Sequence, residues 1–148
     1  MNKIHKIKNS KIELIPLYRK LGESKNDNLK LIILANTFLE LLVNILVEEK
    51  IKSSAKVLDG NEYTYSIKLL LLNELNVIKD GLYNYILILK KMRDRAAHQI
   101  NFQITKDELK KLPKLPMEET DNLYQACVLI LGSLWNENKD YFIKYFNI

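Results

Sequence analysis

From Leu29 to Lys50 the chain is apolar nearly all the way round a helix. Leu31, Ile32, Ile33, Leu34, Phe38, Leu39, Leu41, Leu42, Val43, Ile45 and Leu46 between them cover most of the wheel. A helix without a polar face has to be surrounded by protein, so this segment predicts the central element of a multi-helix fold. Asn26 and Asp27 stand just before it as good N-caps. Four glycines and three prolines in 148 residues are too few for a strand-and-turn architecture. Long helices are favoured instead.

Further helix signals follow with short breaks. Asp59-Gly60-Asn61 marks a turn. Tyr63 to Leu75 reads as a second apolar helix, broken over Asn76 to Gly81. Asp80 is placed to cap a third helix, Leu82 to about Gln99. Asn101-Phe102-Gln103-Ile104 alternates as an extended piece would. Thr105-Lys106-Asp107-Glu108 has the form of a capping box and opens a short helix to Lys111. Pro113 and Pro116 force a loop. Glu118 to about Trp135 is the fourth long helix, and Tyr141 to Phe146 predicts a terminal helix laid across the rest. The fold class is all-α, an antiparallel bundle of four to five helices. Residues 1–22 form a basic N-terminal segment expected to be helical and packed on a single domain spanning 23–148.

The charge is unevenly spread. Lys3, Lys6, Lys8, Lys11, Arg19 and Lys20 stand against Glu13 alone in residues 1–22, which gives this segment the whole net charge of +5. Such an arm can follow a phosphate backbone by salt-sensitive attraction. It can equally be the solvated side of an amphipathic helix, with Ile4, Ile7, Ile12, Leu14, Ile15 and Leu17 facing the domain. One cysteine, Cys127, cannot form an internal disulfide and reads as a small buried hydrophobe. No stretch reaches the roughly 18 uncharged apolar residues of a membrane span. The N-terminus lacks an apolar signal core, so a cytoplasmic protein with no membrane partner is expected.

Chemistry concentrates in Lys91-Met92-Arg93-Asp94-Arg95-Ala96-Ala97-His98. Only two histidines occur in the chain, and the other, His5, lies in the basic segment. On a helical wheel Leu82, Tyr85, Ile86, Leu89, Met92, Ala96 and Ile100 form the core stripe, with Arg93 at its edge. Asp94 and His98 are four apart on the outer face and within reach of one another. Tyr83 and Leu87 share that face, which suggests a dimer interface. Arg93 and His98 point about 140° apart in an unbroken helix. Either the helix opens before His98, or a second copy completes the site. A histidine can move a proton to or from a ribose hydroxyl near neutral pH. An arginine fork can hold a phosphate, and a carboxylate can orient the histidine. Lys90, Lys91 and Arg95 add positive charge for RNA binding. Helix-end ion pairing and capping would use the same residues.

Arg93, a polar residue, then Ala96-Ala97-His98 resembles the motif of the HEPN superfamily, small all-helical domains that include RNA-cleaving toxins and defence proteins. The likeness covers residues 28–135. With Leu75-Asn76-Val77-Ile78 followed by Met92-Arg93-Asp94, it resembles the branch that contains the mannitol operon repressor. The resemblance implies a homodimer whose motifs face a shared cleft. It therefore implies a dimeric, metal-independent endoribonuclease of toxin or defence type, with Arg93, His98 and Asp94 as catalytic residues, RNA as substrate, and no cofactor or metal. The alternative it implies is a non-catalytic regulatory or protein-interaction module. A partner antitoxin or regulatory protein goes with either. Two departures stand out. Asp94 occupies a position that is most often asparagine in the family. Ile100 stands where the branch silenced by nucleotidylation carries a tyrosine, so that form of control is not expected.

No glycine-rich phosphate loop, metal-spaced His/Cys cluster or nucleophile elbow is present in the sequence. The adjacent pairs Glu48/Glu49 and Glu118/Glu119 diverge on a helix and read as solvated ends. Tyr63, Tyr65, Tyr83, Tyr85 and Tyr124 have helical spacing suited to core or interface, though rings of this kind can also stack on bases.

Overall fold

The computed structural model describes residues 3–116 and 122–148, with the side chains at 3, 5 and 6 outside the description. Helix α3 (Asn28–Lys50) is the axis of the fold. Asp27 caps it, its Oδ1 accepting from the Lys30 amide at 3.1 Å. Eleven residues of α3 are buried. By length and composition α3 is apolar enough to cross a bilayer, with mean hydropathy 1.9 over its best window, but 61% of that window is buried inside the protein. Its apolar surface is thus used against other helices, as expected for a core helix.

Around α3 pack α4 (Ser54–Asp59), α5 (Tyr65–Glu74), α6 (Asp80–His98), α8 (Leu123–Glu137) and α9 (Lys139–Phe142), and α7 (Lys106–Lys110) follows α6. The short helix α4 is absent from the sequence reading. Glu118, where the fourth long helix was expected to begin, and the Glu118/Glu119 pair lie outside the described residues. The fold class is all-α, a helical bundle. Thr64 caps α5 through the Ile67 amide. The helix ends in a Schellman motif, with Val77 N–H donating to Leu72 O at 2.9 Å and Asn76 N–H to Asn73 O at 2.9 Å. Asn76 has φ 58°, a left-handed value that asparagine tolerates better than most residues. Asp80 does not cap α6. Lys79 holds the N-cap position, and the Asp80 carboxylate instead accepts from Asn73 Nδ2 at 2.9 Å. That bond ties the end of α5 to the start of α6.

The basic segment is not one helix. It forms α1 (Lys3–Ser10), strand β1 (Ile12–Glu13) and α2 (Leu14–Glu23). Lys11, at φ 40°, makes the break. Pro16 sits in the first turn of α2, where its missing N–H costs no helical bond. Ile4 and Leu21 are buried, and Ile7, Ile12, Leu14 and Leu17 pack at the margin of the core. Ile15, also expected to face the domain, is exposed.

The chain end also differs from expectation. Only Lys139–Phe142 is helical, and Phe146–Asn147 forms β2, which pairs in parallel with β1. Alternation of side chains at β2 buries Phe146 and exposes Asn147. The Tyr145 carbonyl accepts the Ile12 amide at 2.8 Å. Rings of Trp135, Phe142, Phe146, Phe38 and Tyr18 form a connected aromatic cluster. The Glu49 carboxylate fastens this end to α3, accepting from Tyr145 Oη at 2.8 Å and Lys144 Nζ at 3.1 Å, with Lys8 Nζ at 3.9 Å. Cys127 is fully buried, and burial pushes its thiol up to about 12.

Candidate functional site

Helix α6 runs unbroken to His98, and Gln99 leaves it in extended conformation. Leu82, Ile86, Leu89 and Met92 form its buried stripe. Tyr85 and Ala96 are half-buried. Ile100 is fully exposed, because the helix ends before the stripe reaches it. Tyr83 and Leu87, the expected dimer-interface residues, are half-buried at the margin of the core.

The motif residues separate into a fixed group and a free one. Arg93 Nη1 meets Glu40 Oε2 at 3.2 Å, and its Nη2 lies 3.6 Å from Asp94 Oδ1. The guanidinium sits 5.4 Å from the centre of the Tyr65 ring. One side chain thereby links α6 to α3 and α5. Burial raises the Tyr65 phenol above its ordinary value, and the Glu40 charge adds to the effect. The Tyr65 Oη has no hydrogen-bond partner among the described residues. Asn36, one turn before Glu40, donates to Leu89 O at 3.0 Å. Both α3–α6 contacts advance by four on each helix, so the two helices run in the same direction here.

Asp94 was expected to orient His98, but it turns the other way. Its Oδ2 takes Lys90 Nζ at 2.6 Å, one turn earlier. The long stem of Lys90 lets its ammonium reach along the helix face to the carboxylate. The hydrogen bond from Lys90 holds the Asp94 carboxyl below its usual range, aided by Arg93. Arg95 is likewise occupied. Its two terminal nitrogens each lie 2.7 Å from a Glu108 oxygen, Nη2 also donates to Gln103 O, and the guanidinium stacks 5.0 Å from the Phe102 ring. Of the three expected RNA-binding cations, only Lys91 is exposed and without an ion pair among the described residues. His98 is exposed too, with no hydrogen bond or ion pair among those residues.

Glu108 completes the capping box expected at Thr105. Its Oε1 accepts from the Thr105 amide at 3.0 Å, and the Thr105 hydroxyl accepts from the Glu108 amide at 3.2 Å. The segment after the motif is thus clamped to α6 through Arg95, which leaves the end carrying His98 open. The sequence reading missed Glu40, Tyr65, Phe102 and Glu108 as partners of the motif. One signal was available: Glu40 is the sole charge between Leu31 and Val47, with Asn36 and Asn44 four residues to either side. That polar stripe marks the side of α3 that meets Arg93.

Three carboxylates are held below their ordinary values in the fold. The Lys90 bond lowers Asp94, and the Arg95 bond lowers Glu108. Burial opposes ionisation of Glu49, but its bonds from Tyr145 and Lys144 outweigh it. A carboxyl lowered in the folded state adds stability that is complete above its unfolded value and is lost as pH falls through the folded value. The unfolded values are 4.5 for the glutamates and 3.8 for Asp94. Thermal melts should therefore hold level above about pH 5 and fall steeply below it. Glu49→Gln should lower the melting temperature at pH 7 and flatten the acid limb. An unchanged acid limb in that variant would remove Glu49 from this account.

The fold and the site define an all-helical bundle with an arginine anchored among three helices and an exposed histidine at a helix end. Among the described residues no cluster of three or more His, Cys, Asp or Glu could hold a metal ion. No family model, curated protein or solved structure matches this chain.

Proposed function

We propose that the protein is a dimeric, HEPN-type endoribonuclease that cuts RNA without a metal, with Arg93 and His98 as its catalytic residues. The observation that carries this reading is the contrast between them: Arg93 is fixed by Glu40 and Tyr65, whereas His98 stands exposed and unengaged five residues later. Because α6 stays helical between them, one copy cannot direct both at one phosphate. A second copy facing the first supplies the complement, Arg93 from one and His98 from the other. His98 takes the proton of the ribose 2′-hydroxyl as its oxygen bonds to phosphorus. The bond from phosphorus to the 5′-oxygen breaks, and that oxygen takes up the proton that the same His98 has accepted. Arg93 stabilises the charge that builds on the phosphoryl oxygens. The products are a 2′,3′-cyclic phosphate and a 5′-hydroxyl. The reading takes the protein to be cytoplasmic, with an antitoxin as a further partner.

One observation favours the non-catalytic module instead: Arg93, Asp94 and Arg95 are all engaged in ion pairs within the chain. The test is RNA cleavage in EDTA by wild type, His98→Ala and Arg93→Ala, each checked for folding and for dimer formation. Cleavage by wild type alone supports the nuclease. An inert but folded wild type, or variants that cut equally well, removes it in favour of the module.

A further inference from the structure

Between the N-terminal segment and α3 lies a cleft of about 590 Å³, a volume typical of small-molecule sites. Ile4, Ile7, Leu17, Leu34, Phe38 and Leu41 make its walls aliphatic and aromatic. Its polar lining comes from Thr37, Glu40 and Asn44 on α3 and from Lys20. The α3 groups offer acceptors. Glu40 uses Oε2 for Arg93, and no bond to its Oε1 occurs among the described residues. The Asn44 Oδ1 is shut from solvent without a hydrogen-bond partner. Thr37 already donates its hydroxyl proton to Ile33 O at 2.7 Å, which leaves its oxygen to accept. A buried acceptor without a donor is costly. Apolar walls that end on the Glu40 carboxylate and the Thr37 hydroxyl oxygen, with Lys20 the cation of the lining, specify a particular ligand chemistry.

We propose that this cleft binds a single-chain aliphatic molecule carrying a primary ammonium head. The chain lies along the isoleucines and leucines, the head donates to Glu40, and the Asn44 amide turns its Oδ1 out of the protein interior to accept from it. Binding is coupled to the motif, because the ammonium and Arg93 share the Glu40 carboxylate. Each weakens the other's hold on it by the same factor. The inference concerns binding and does not depend on nuclease activity. Lys20 makes an alkyl carboxylate the natural rival, so that molecule is the control.

Titration calorimetry on the full chain tests this with decylamine, decanoate and decanol, each below its aggregation concentration. Decylamine should bind one to one, at least about tenfold tighter than the other two, since a charge-assisted bond is worth that much. Glu40→Gln should weaken decylamine about tenfold or more. Arg93→Met should tighten it severalfold by freeing the carboxylate. Asn44→Leu should weaken it while keeping or raising the melting temperature, as the unpartnered amide disappears. Thermal melts on every variant separate lost binding from lost folding. Decanoate binding as tightly as decylamine, equal binding of all three, or no heat from decylamine would each overturn the proposal. So would an Arg93→Met protein that is folded yet binds decylamine no better than wild type.

Discussion

Replacing His98 with alanine should cut the rate of RNA cleavage by about 10²–10⁴-fold, the usual worth of a positioned general acid–base group. It should leave the fold almost untouched, within about 0.5 kcal/mol, because His98 is exposed and bonded to nothing among the described residues. That separation makes it the most decisive substitution in the chain. Arg93→Ala should cost about 10²–10³-fold in rate, as removal of one transition-state donor does elsewhere. It also unlinks α6 from Glu40 and Tyr65, so its melting curve has to be read beside its activity. Arg93→Lys is the sharper partner: it retains the positive charge but loses the planar fork, and should remain slow. The proposed two-copy site leads to a further expected result. Arg93→Ala and His98→Ala proteins, each inactive alone, should regain activity when mixed and allowed to exchange subunits. A mixed dimer holds one site with both wild-type residues only if the two come from different copies. Failure to recover activity despite proven exchange would place both residues in a single copy's site and rule out the shared cleft.

The sequence exposes what is local. The apolar run of α3, the Asp27 cap and the Thr105–Glu108 capping box each rest on residues within a turn or two of one another, and all three occur as read. The motif's own partners are not local. Glu40 and Arg93 are 53 residues apart, and Arg95 meets Glu108 across a bend that no periodicity describes. Helical spacing alone allowed Asp94 to pair with His98 or with Lys90, and the choice fell to the longer, charged side chain. The strand pair was less legible still. Ile12-Glu13 and Phe146-Asn147 are two residues each, too short to show an alternating pattern, and they lie at opposite ends of the chain. The stripe Asn36, Glu40, Asn44 could have been read. Counting α3 as apolar all round concealed it, although it identifies both the side that meets Arg93 and the polar end of the cleft.

Phe146→Ala should lower the stability of the fold by about 3–5 kcal/mol, the usual loss for a buried phenylalanine in a core that cannot collapse. The site leaves little room for collapse. Phe146 is 2% exposed and lies 5.2 Å from the Trp135 ring and 6.3 Å from Phe38. Trp135 is in turn stacked on Phe142, and Phe38 meets Tyr18 edge to face, so the gap would open at the junction of α2, α3, α8 and the chain end. Backbone bonds restrain the segment as well. Phe146 belongs to β2, paired with β1, and the preceding residue is held by Glu49. Urea unfolding followed by fluorescence measures the effect directly, because Trp135 is the single tryptophan and touches the ring to be removed. Ile148→Ala is the control two residues on. That side chain is 73% exposed and should change stability by no more than about 0.5 kcal/mol. A domain of this size is held by about 5–15 kcal/mol in all. Losing a fifth or more of it through one side chain two residues from the last would mean that the chain end is structural core, and that α1, β1 and α2 are fastened through it. A loss below about 1 kcal/mol would show that Phe146 does not carry the aromatic cluster.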